Sequence, residues 1–388
     1  MKMGLHRDSS VFAHVSPFYA EIRRRLWFTV VELDLQAAVS AGMPPSVNLA
    51  HCTCHYPMNI HDDELREDAS AGDLVSKDIS VCTRTAFQIV LLQSLPLRTE
   101  IANAAAMPAG PPSDESIISL DTKLTEWYTN MPDYCRARTA SLPLDIGQSC
   151  AIPSQILTLT YYGSLLTLHA PVMAHEESRT YSQQQAVRAA IQTLSQVQRQ
   201  HLDAPFSRSI AKLSGEMIRD RILHAAIVLC LELLRHRSCG DKQHKPCGPD
   251  APAKSYTRGH KQILEALESA DAYFIHHLKR GLCTPKQFLF LRMAVASAKA
   301  RLHRGSPLHA VKDEFKAAVS ECKSYYAALA SQRGGVSPMA NAFATGFPEE
   351  YSWSPLLTQE DISAIEESTW STSLFEELMA EFDAQQYG

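Results

Sequence analysis

The sequence has few of the features that mark a specialised class of chain. Its 388 residues are 45% hydrophobic and include only 16 glycines, which excludes a disordered, collagen-like or low-complexity chain. The most apolar segment, residues 222–234, contains His224 and Glu232 and is shorter than the roughly 20 residues that span a bilayer. Residues 1–10 hold no apolar stretch of the kind that a signal peptide requires. We expect a globular protein that is neither secreted nor embedded in a membrane.

Recognisable catalytic motifs are missing as well. The sequence has no Gly-x-Gly-x-x-Gly, no P-loop, no Gly-x-Ser-x-Gly and no His-Glu-x-x-His, and its 16 histidines are scattered. We therefore predict that the chain is not an enzyme, with no catalytic residue and no cofactor-binding residue.

The ten cysteines lack the Cys-x-x-Cys spacing of structural zinc sites. Four soft ligands do lie close together in His51-Cys52-Thr53-Cys54-His55. Cys-x-Cys is too tight for the usual zinc spacing, and no second pair follows at a suitable distance. We predict reduced thiols and no metal site in this chain.

Basic residues are missing from the carboxy-terminal end. The whole chain has 37 Lys and Arg against 42 Asp and Glu, a formal net charge of −5. Residues 334–388 contain ten acidic residues and no Lys or Arg, so the first 333 residues carry +5. The sequence thus combines a mildly basic body with a strongly acidic tail.

Helical patterns dominate the body. Ser16 and Pro17 favour a helix start, Gly42 with Pro44 and Pro45 favours its end, and residues 46–76 lack periodicity. Apolar residues at spacings of three and four predict the core-facing side of this helix. They are Phe18, Ile22, Leu26, Val30, Leu33 and Ala37.

Further helices are predicted along the rest of the body, and strand signals are weak. Their ranges are 78–106, 114–130, 154–174, 180–202, 212–237, 256–280, 285–303 and 307–332. The stretch 238–255 is rich in Pro, Gly and Lys and predicts an exposed loop. The predicted fold class is all-α, with one large multi-helix domain over 1–333 and an acidic tail over 334–388.

Five short blocks follow one another within residues 4–65. They are Gly4-Leu5-His6-Arg7-Asp8, Ser16-Pro17-Phe18, Glu21-Ile22-Arg23-Arg24-Arg25-Leu26-Trp27 with Asp34, Gly42-Met43-Pro44-Pro45, and Pro57-Met58-Asn59-Ile60 with Asp62-Asp63-Glu64-Leu65. In this order they resemble the fungal-specific transcription factor domain, the middle homology region of fungal binuclear zinc-cluster regulators. The resemblance continues more faintly through Tyr161-Tyr162 to Leu168-His169-Ala170-Pro171, where Ala170 replaces the usual basic residue.

The resemblance implies a regulatory role for the body and a structural role for the motif residues. These are Gly4, His6, Arg7, Asp8, Glu21, Arg23, Arg24, Arg25, Trp27, Asp34, Pro45, Asn59, Asp63 and Leu65. Three successive arginines lie about 100° apart on a helix, so at least one points to the packed side and requires a partner. Glu21, Asp34 and Asp8 are the candidates; a solvated basic face and phosphate contact with DNA are the alternatives.

Members of this family usually carry an amino-terminal module with six cysteines that binds two zinc ions and DNA. We find no such module here, and we expect zinc and DNA contact only through it. The resemblance implies a nuclear transcription regulator that pairs as a homodimer or heterodimer and senses a small-molecule effector. One alternative is a truncated paralogue that does not bind DNA and modulates a full-length regulator by protein–protein contact.

The acidic tail interleaves charges with apolar side chains at helical spacing. The apolar residues are Trp370, Leu374, Phe375, Leu378, Met379 and Phe382. This pattern is typical of an activation segment that contacts transcription coactivators. A terminal helix that docks on the basic body is the other interpretation, and alternation between the two would give autoinhibition.

Overall fold

The structure is a computed structural model that describes most of the body of the chain. The described residues are 3–9, 12, 14–68, 70, 72–107, 112–136, 144–173, 180–199, 215–241, 253–280, 285–302 and 306–332. Over these residues the regular structure is entirely helical, which confirms the all-α prediction. None of the helices described is long and apolar enough to cross a membrane.

Ten α-helices and two short 3₁₀ helices make up the described fold. The α-helices are α1 Pro17–Ala41, α2 Ala86–Gln93, α3 Leu95–Ala105, α4 Asp114–Thr129, α5 Leu144–Met173, α6 Thr180–Arg199, α7 Gly215–Asp241, α8 Ala253–Lys279, α9 Pro285–Leu302 and α10 Pro307–Gln332. The 3₁₀ helices are Leu49–His51 and Asp133–Cys135. The chain divides into two compact units, with the boundary between Val172 and Met173. The predicted boundary at residue 333 lies outside the described residues.

Both ends of α1 follow from its sequence. The Ser16 hydroxyl oxygen accepts the Tyr19 N–H at 3.4 Å, and Pro17 occupies the first turn, where a missing N–H costs nothing. At the other end Gly42 adopts φ 63°, and Met43 N–H returns to the Ala38 carbonyl at 2.9 Å. The bounds predicted for this helix are confirmed.

The predicted core-facing side of α1 was wrong in large part. Leu26, Val30 and Leu33 are 52%, 46% and 63% exposed, and Ala37 is exposed too. The side chains that enter the core lie on another side of the helix, at Trp27, Phe28, Val31, Leu35 and Ala38. Phe18 and Ile22 are half-buried against Ile60, Leu65 and Leu74. Apolar residues occur on two sides of α1, and spacing alone cannot tell which side the rest of the fold covers.

The helix predicted over 78–106 is also corrected. Residues 78–85 form turns, and Ser94 separates α2 from α3. The Thr83 hydroxyl accepts the N–H groups of Thr85 and Ala86 at 3.2 Å and so satisfies donors at the start of α2. Pro96 lies in the first turn of α3, where it favours a new helix start.

Two smaller corrections concern α5 and the loop that follows α7. The sequence predicts a start near 154, but α5 begins at Leu144 and contains Pro153 and Pro171. Each proline removes one intrahelical hydrogen bond without ending the helix. Helix α7 continues to Asp241 and α8 begins at Ala253, and residues 242–252 between them lie outside the described residues.

Three hydrophobic clusters lie among the described residues of the first unit. One joins α1 to α2 and α3 through Trp27, Phe28, Val31, Leu35, Leu92, Leu95 and Ala102. A second cluster joins α2 to α5 and to residues between α4 and α5, through Val90, Leu91, Met131, Tyr134 and Leu157. A third, under residues 58–74, consists of Ile60, Leu65 and Leu74. Residues of the motif blocks, such as Trp27 and Leu65, belong to the first and third clusters.

The described part of the second unit consists of helices α6 to α10. Helix α6 packs on α7 and α8, and α9 packs on α7, α8 and α10. Phe274 and Phe288 are fully buried between these helices. The unit is therefore a layered helical bundle with its own core.

Candidate functional site

The amino-terminal block lies against α1 and the segment that follows it. Gly4 adopts φ 64°, a left-handed conformation that favours glycine, and its carbonyl accepts a hydrogen bond from Arg23 Nη2 at 3.0 Å. The His6 carbonyl accepts the N–H groups of Thr53 and Cys54 at 2.9 and 3.2 Å. The block therefore joins α1 to the irregular segment after it.

Three carboxylates and two arginines form an ion-pair network at the start of α1, which we call the motif network. Arg24 Nε lies 3.2 Å from Asp8 Oδ2, and Arg24 Nη1 lies 3.7 Å from Glu21 Oε2. Arg25 bridges Glu21 at 3.0 Å and Asp62 at 2.8 Å. Asp8 and Glu21 are buried, so these pairs lie in a low-dielectric environment where each charge needs its partner.

The two buried carboxylates also hold the backbone of the irregular segment. Asp8 Oδ2 accepts the His55 N–H at 3.1 Å, and Glu21 Oε1 accepts the Met58 N–H at 3.0 Å. Each carboxylate thus connects an arginine of α1 with a backbone group more than 30 residues away. The motif network anchors residues 53–62 to the helix.

Each of the three successive arginines has a partner. Arg23 donates to the carbonyls of Met3 and Gly4 and lies 5.3 Å from the centre of the Phe12 ring. Arg24 and Arg25 contact Asp8, Glu21 and Asp62 as described above. Asp34 is not one of these partners, and in this respect the prediction was wrong: its Oδ2 accepts the Val47 N–H at 2.9 Å. Asp34 instead fixes the chain just after Pro45.

Asn59 organises the rest of the irregular segment. Its Nδ2 donates to the carbonyls of Asp78 and Val81 at 2.8 and 3.1 Å, and its Oδ1 accepts the Thr83 hydroxyl at 2.6 Å. The side chain is buried, so both ends of the amide are satisfied inside the protein. Asn59 therefore holds the turns that lead into α2.

The remaining motif residues divide between the core and the surface. Trp27 is buried in the α1 cluster, with the His6 ring 6.0 Å away, and Leu65 is buried in the third cluster. Pro45 is half-buried, whereas Arg7 and Asp63 are exposed. Because Arg7 and Asp63 are exposed, we assign them no part in the motif network.

The sequence did not indicate a bidentate ion pair that joins α1 to α3. Arg98 on α3 donates to both carboxylate oxygens of Glu32 on α1, at 2.8 and 2.7 Å. Arg98 also donates from Nε to the Ser94 hydroxyl, and it is almost fully buried. A bidentate pair fixes the relative rotation of two helices. Its two members are 66 residues apart, and no local pattern connects them.

The second faint stretch of the resemblance also makes polar contacts. His169 Nε2 lies 3.3 Å from Asp121 Oδ2, a polar contact between α5 and α4. The Tyr161 ring stacks on Tyr128 at 4.1 Å, and its hydroxyl lies 3.1 Å from that of Thr125. These contacts form a polar layer between two helices.

The paired cysteines beside the motif network, Cys52 and Cys54, are half-buried. Burial, with a further contribution from Asp8, raises the pKa of the Cys54 thiol to about 11, and burial raises that of Cys52. The neutral thiol is therefore the dominant form of both side chains at neutral pH. Within the described ranges no group of three or more His, Cys, Asp or Glu side chains is arranged to hold a metal ion.

The arrangement as a whole is suited to holding segments together. The carboxylates of the motif network face arginines and backbone N–H groups. The predicted activation residues, from Trp370 to Phe382, lie outside the described residues.

Comparison with known proteins gives a consistent result. Residues 1–128 match the sequence model of the fungal specific transcription factor domain. The chain is 29% identical over 239 residues to the transcription factor lepE of Aspergillus flavus, covering 60% of this chain and 28% of lepE. It is 26% identical over 277 residues to the Zn(2)-C6 fungal-type transcription factor pigI of Monascus ruber, covering 70% and 33% of the two chains.

A third relative is the pyrrolocin cluster transcription factor fsdR of Fungal sp. (strain NRRL 50135). It is 26% identical over 247 residues, which cover 60% of this chain and 31% of fsdR. The chain spans about a third of the length of these relatives or less. No solved structure matches it.

Proposed function

We propose that the chain regulates transcription of a fungal biosynthetic gene cluster, because residues 1–128 match the sequence model of the fungal specific transcription factor domain. The relatives described above are named as transcription factors, and fsdR is named for the pyrrolocin cluster. We propose that the protein acts by contacts with other macromolecules and without catalysis. Its place of action would be the nucleus.

The motif network is the observation that best supports this assignment. The ordered blocks of the resemblance are separate in sequence, yet Asp8, Glu21, Arg24, Arg25 and Asp62 meet in one set of contacts. A chance match of one block would not produce paired partners in two other blocks. The blocks therefore act together as the scaffold of the family domain.

Several parts of the proposal extend beyond the described residues. The acidic tail would contact transcription coactivators, and DNA contact would require a zinc-cluster module, in this protein or in a partner. Pairing as a homodimer or heterodimer and a small-molecule effector also remain proposals. The apolar residues of the tail, among charges of one sign, are the chemistry that a coactivator groove would recognise.

A tethering experiment tests the regulatory role directly. The full chain is fused to a heterologous DNA-binding module whose sites lie upstream of a reporter gene. We expect reporter transcription to rise severalfold, and to fall again when six apolar tail residues are changed to alanine with every charge retained. These residues are Trp370, Leu374, Phe375, Leu378, Met379 and Phe382.

A matched control replaces Leu356 and Leu357, two apolar residues of the preceding linker, and should keep the activity. Deleting the gene in its source organism should change the transcripts of a group of neighbouring genes. An unchanged reporter with the tethered full chain, together with an unchanged transcriptome after deletion, would refute the proposed function.

A further inference from the structure

The charges of the chain divide into three regions once the two units are known. Residues 1–172 hold 12 Lys and Arg against 18 Asp and Glu, a net charge of −6. Residues 173–333 hold 25 against 14, or +11, and residues 334–388 hold none against ten. The positive charge of the body thus belongs to the second unit alone. An acidic segment is attracted to that unit and repelled by the first.

Helix α10 presents part of this charge on one exposed side. Lys312, Lys316 and Lys323 are all exposed, and spacings of four and seven residues place them within an arc of about 40°. We call this side the lysine face. Val311, Ala318 and Cys322 are buried on another side of the same helix. The lysine face is therefore directed away from the core of the unit.

Two carboxylates of α10 lie on a different side of the helix from the lysine face and form ion pairs with α9. Glu314 and Glu321 lie 2.8 and 2.9 Å from the Arg292 guanidinium of α9, on the packed side of the helix. Asp313 is exposed and lies 3.5 Å from His309. Apolar surface adjoins the lysines at Leu308, which is 42% exposed. The lysine face offers positive charge beside a small apolar surface.

The acidic tail has the complementary sequence. Its apolar residues Leu374, Leu378 and Phe382 recur at intervals of four, and Glu376, Glu377, Glu381 and Asp383 lie between and after them. Lys312 and Lys323 lie about 16 Å apart along α10, a length that about 11 residues of a helix cover. We propose that residues 360–383 bind the lysine face of α10 in the same chain.

The intervening chain is long enough for this contact. Residues 333–359 number 27, and a chain of that length can span up to about 90 Å when fully extended. Lys323 lies nine residues before the end of α10, or about 14 Å along the helix. The tail thus reaches the lysine face without stretching, and intramolecular binding benefits from a high effective concentration.

The exposed apolar side of α1, at Leu26, Val30 and Leu33, is the other surface on which apolar tail residues could pack. It belongs to the unit with a net charge of −6, and the arginines nearby already contact carboxylates and carbonyls. Ten further negative charges would be repelled there. Charge therefore favours α10.

The consequence rests on the proposed function. While it is bound to α10, the tail cannot present its apolar residues to a coactivator, so the lysine face would hold a fraction of the molecules in reserve and would lower the activity of the tethered full chain without abolishing it. Salt weakens contacts between exposed charges, and an acidic or basic partner would compete with them. Release of the tail then becomes the regulated step.

Zero-length carbodiimide cross-linking of the purified full chain tests the contact. At about 50 mM salt, where the Debye length exceeds 10 Å, we expect intramolecular cross-links from the three lysines to tail carboxylates in the monomer fraction. One variant carries K312E, K316E and K323E. Its matched control carries R188E, K261E and K286E, three exposed basic residues of the same unit with the same change in charge.

The first variant should lower the yield of tail cross-links about tenfold, and the control should leave it unchanged. Adding E376K, E377K and E381K to the first variant should restore the contact with reversed charge, now as cross-links from the new tail lysines to α10. Three results would overturn the proposal: cross-links spread evenly over the lysines of the second unit, cross-links found only in a dimer fraction, or a cross-link yield that the first variant leaves unchanged. Cross-linking reports binding alone, so its failure is distinct from failure of the tethered reporter.

Discussion

At the scale of single residues, Glu21 contacts both arginines of the motif network and the backbone of the irregular segment. Its side chain is 0% exposed, and its Oε1 accepts from both Arg25 Nε and the Met58 N–H at 3.0 Å. Its charge also lies near Arg24. A buried carboxylate with two arginines nearby stabilises the fold only while all three charges are present.

Replacing this charge should therefore destabilise the first unit strongly. We expect Glu21→Gln to lower the free energy of unfolding by about 3 kcal/mol, because it leaves two half-buried arginines without a full counter-charge. Urea denaturation followed by circular dichroism measures the change.

Asp63 provides the control for this prediction because it is a motif residue that is exposed. Asp63→Asn should change the free energy of unfolding by less than about 0.5 kcal/mol. Equal losses from Asp63→Asn and Glu21→Gln would contradict the assignment of the stabilising role to the buried network.

A second crowded group of charges surrounds Arg292 in the second unit. Asp271 Oδ2, Glu314 Oε1 and Glu321 Oε2 lie 2.8, 2.8 and 2.9 Å from its guanidinium nitrogens. Burial raises the pKa of Asp271 above its ordinary value in spite of Arg292, and the two glutamates raise it further. The single positive charge of Arg292 is thus shared among three carboxylates.

The raised pKa predicts a specific pH dependence. Between the ordinary pKa of an aspartate, about 3.9, and the raised value in the folded protein, the folded state holds more protons than the unfolded state. The contribution of Asp271 to stability therefore falls as the pH rises through that window. Asp271→Asn cannot ionise, so the stability of this variant relative to the wild type should be greater at pH 7 than at pH 4. Urea titrations at both values check this, and a difference that shrinks toward pH 7 would contradict it.

At the scale of elements, α1 shows that local sequence determines the bounds of a helix, whereas distant residues determine which side of it is buried. Ser16, Pro17 and Gly42 act on their own backbone neighbours, so the bounds of α1 could be predicted. The buried side of the helix is selected by contacts with α3, such as Glu32 with Arg98, across 66 residues. The sequence likewise pointed to Asp8 and Glu21 as arginine partners but not to Asp62, which is exposed and 37 residues from Arg25.

The two sides of α1 should respond differently to the same truncation. Leu35 is 2% exposed in the α1 cluster, and Leu35→Ala should lower the free energy of unfolding by about 3 kcal/mol through lost burial and a cavity. Leu33 is 63% exposed, and Leu33→Ala should change it by less than about 0.5 kcal/mol. Denaturant unfolding of this pair of variants measures both values. A larger loss for Leu33→Ala would instead favour the core-facing side that the sequence predicted.

At the scale of the whole molecule, the net charge of −5 is the sum of three unlike regions. The first unit carries −6, residues 173–333 carry +11, and the tail carries −10. A polyanion such as DNA or heparin is attracted to the second unit and repelled by the other two regions. The acidic tail should therefore limit non-specific binding of the body to nucleic acid, whether or not it also occupies the lysine face.

Neutralising the tail isolates this effect of charge in the full-length chain. Changing all ten acidic residues of 334–388 to their amides converts the formal net charge from −5 to +5. We expect this variant to elute from heparin at a higher salt concentration than the wild type and to bind random DNA more tightly, with an affinity that falls steeply as salt rises. A variant with the residues of the tail shuffled keeps the same charge and should elute much like the wild type, because long-range attraction depends on net charge more than on the order of residues. If the neutralised variant eluted with the wild type, the tail would not set the interaction of the body with polyanions.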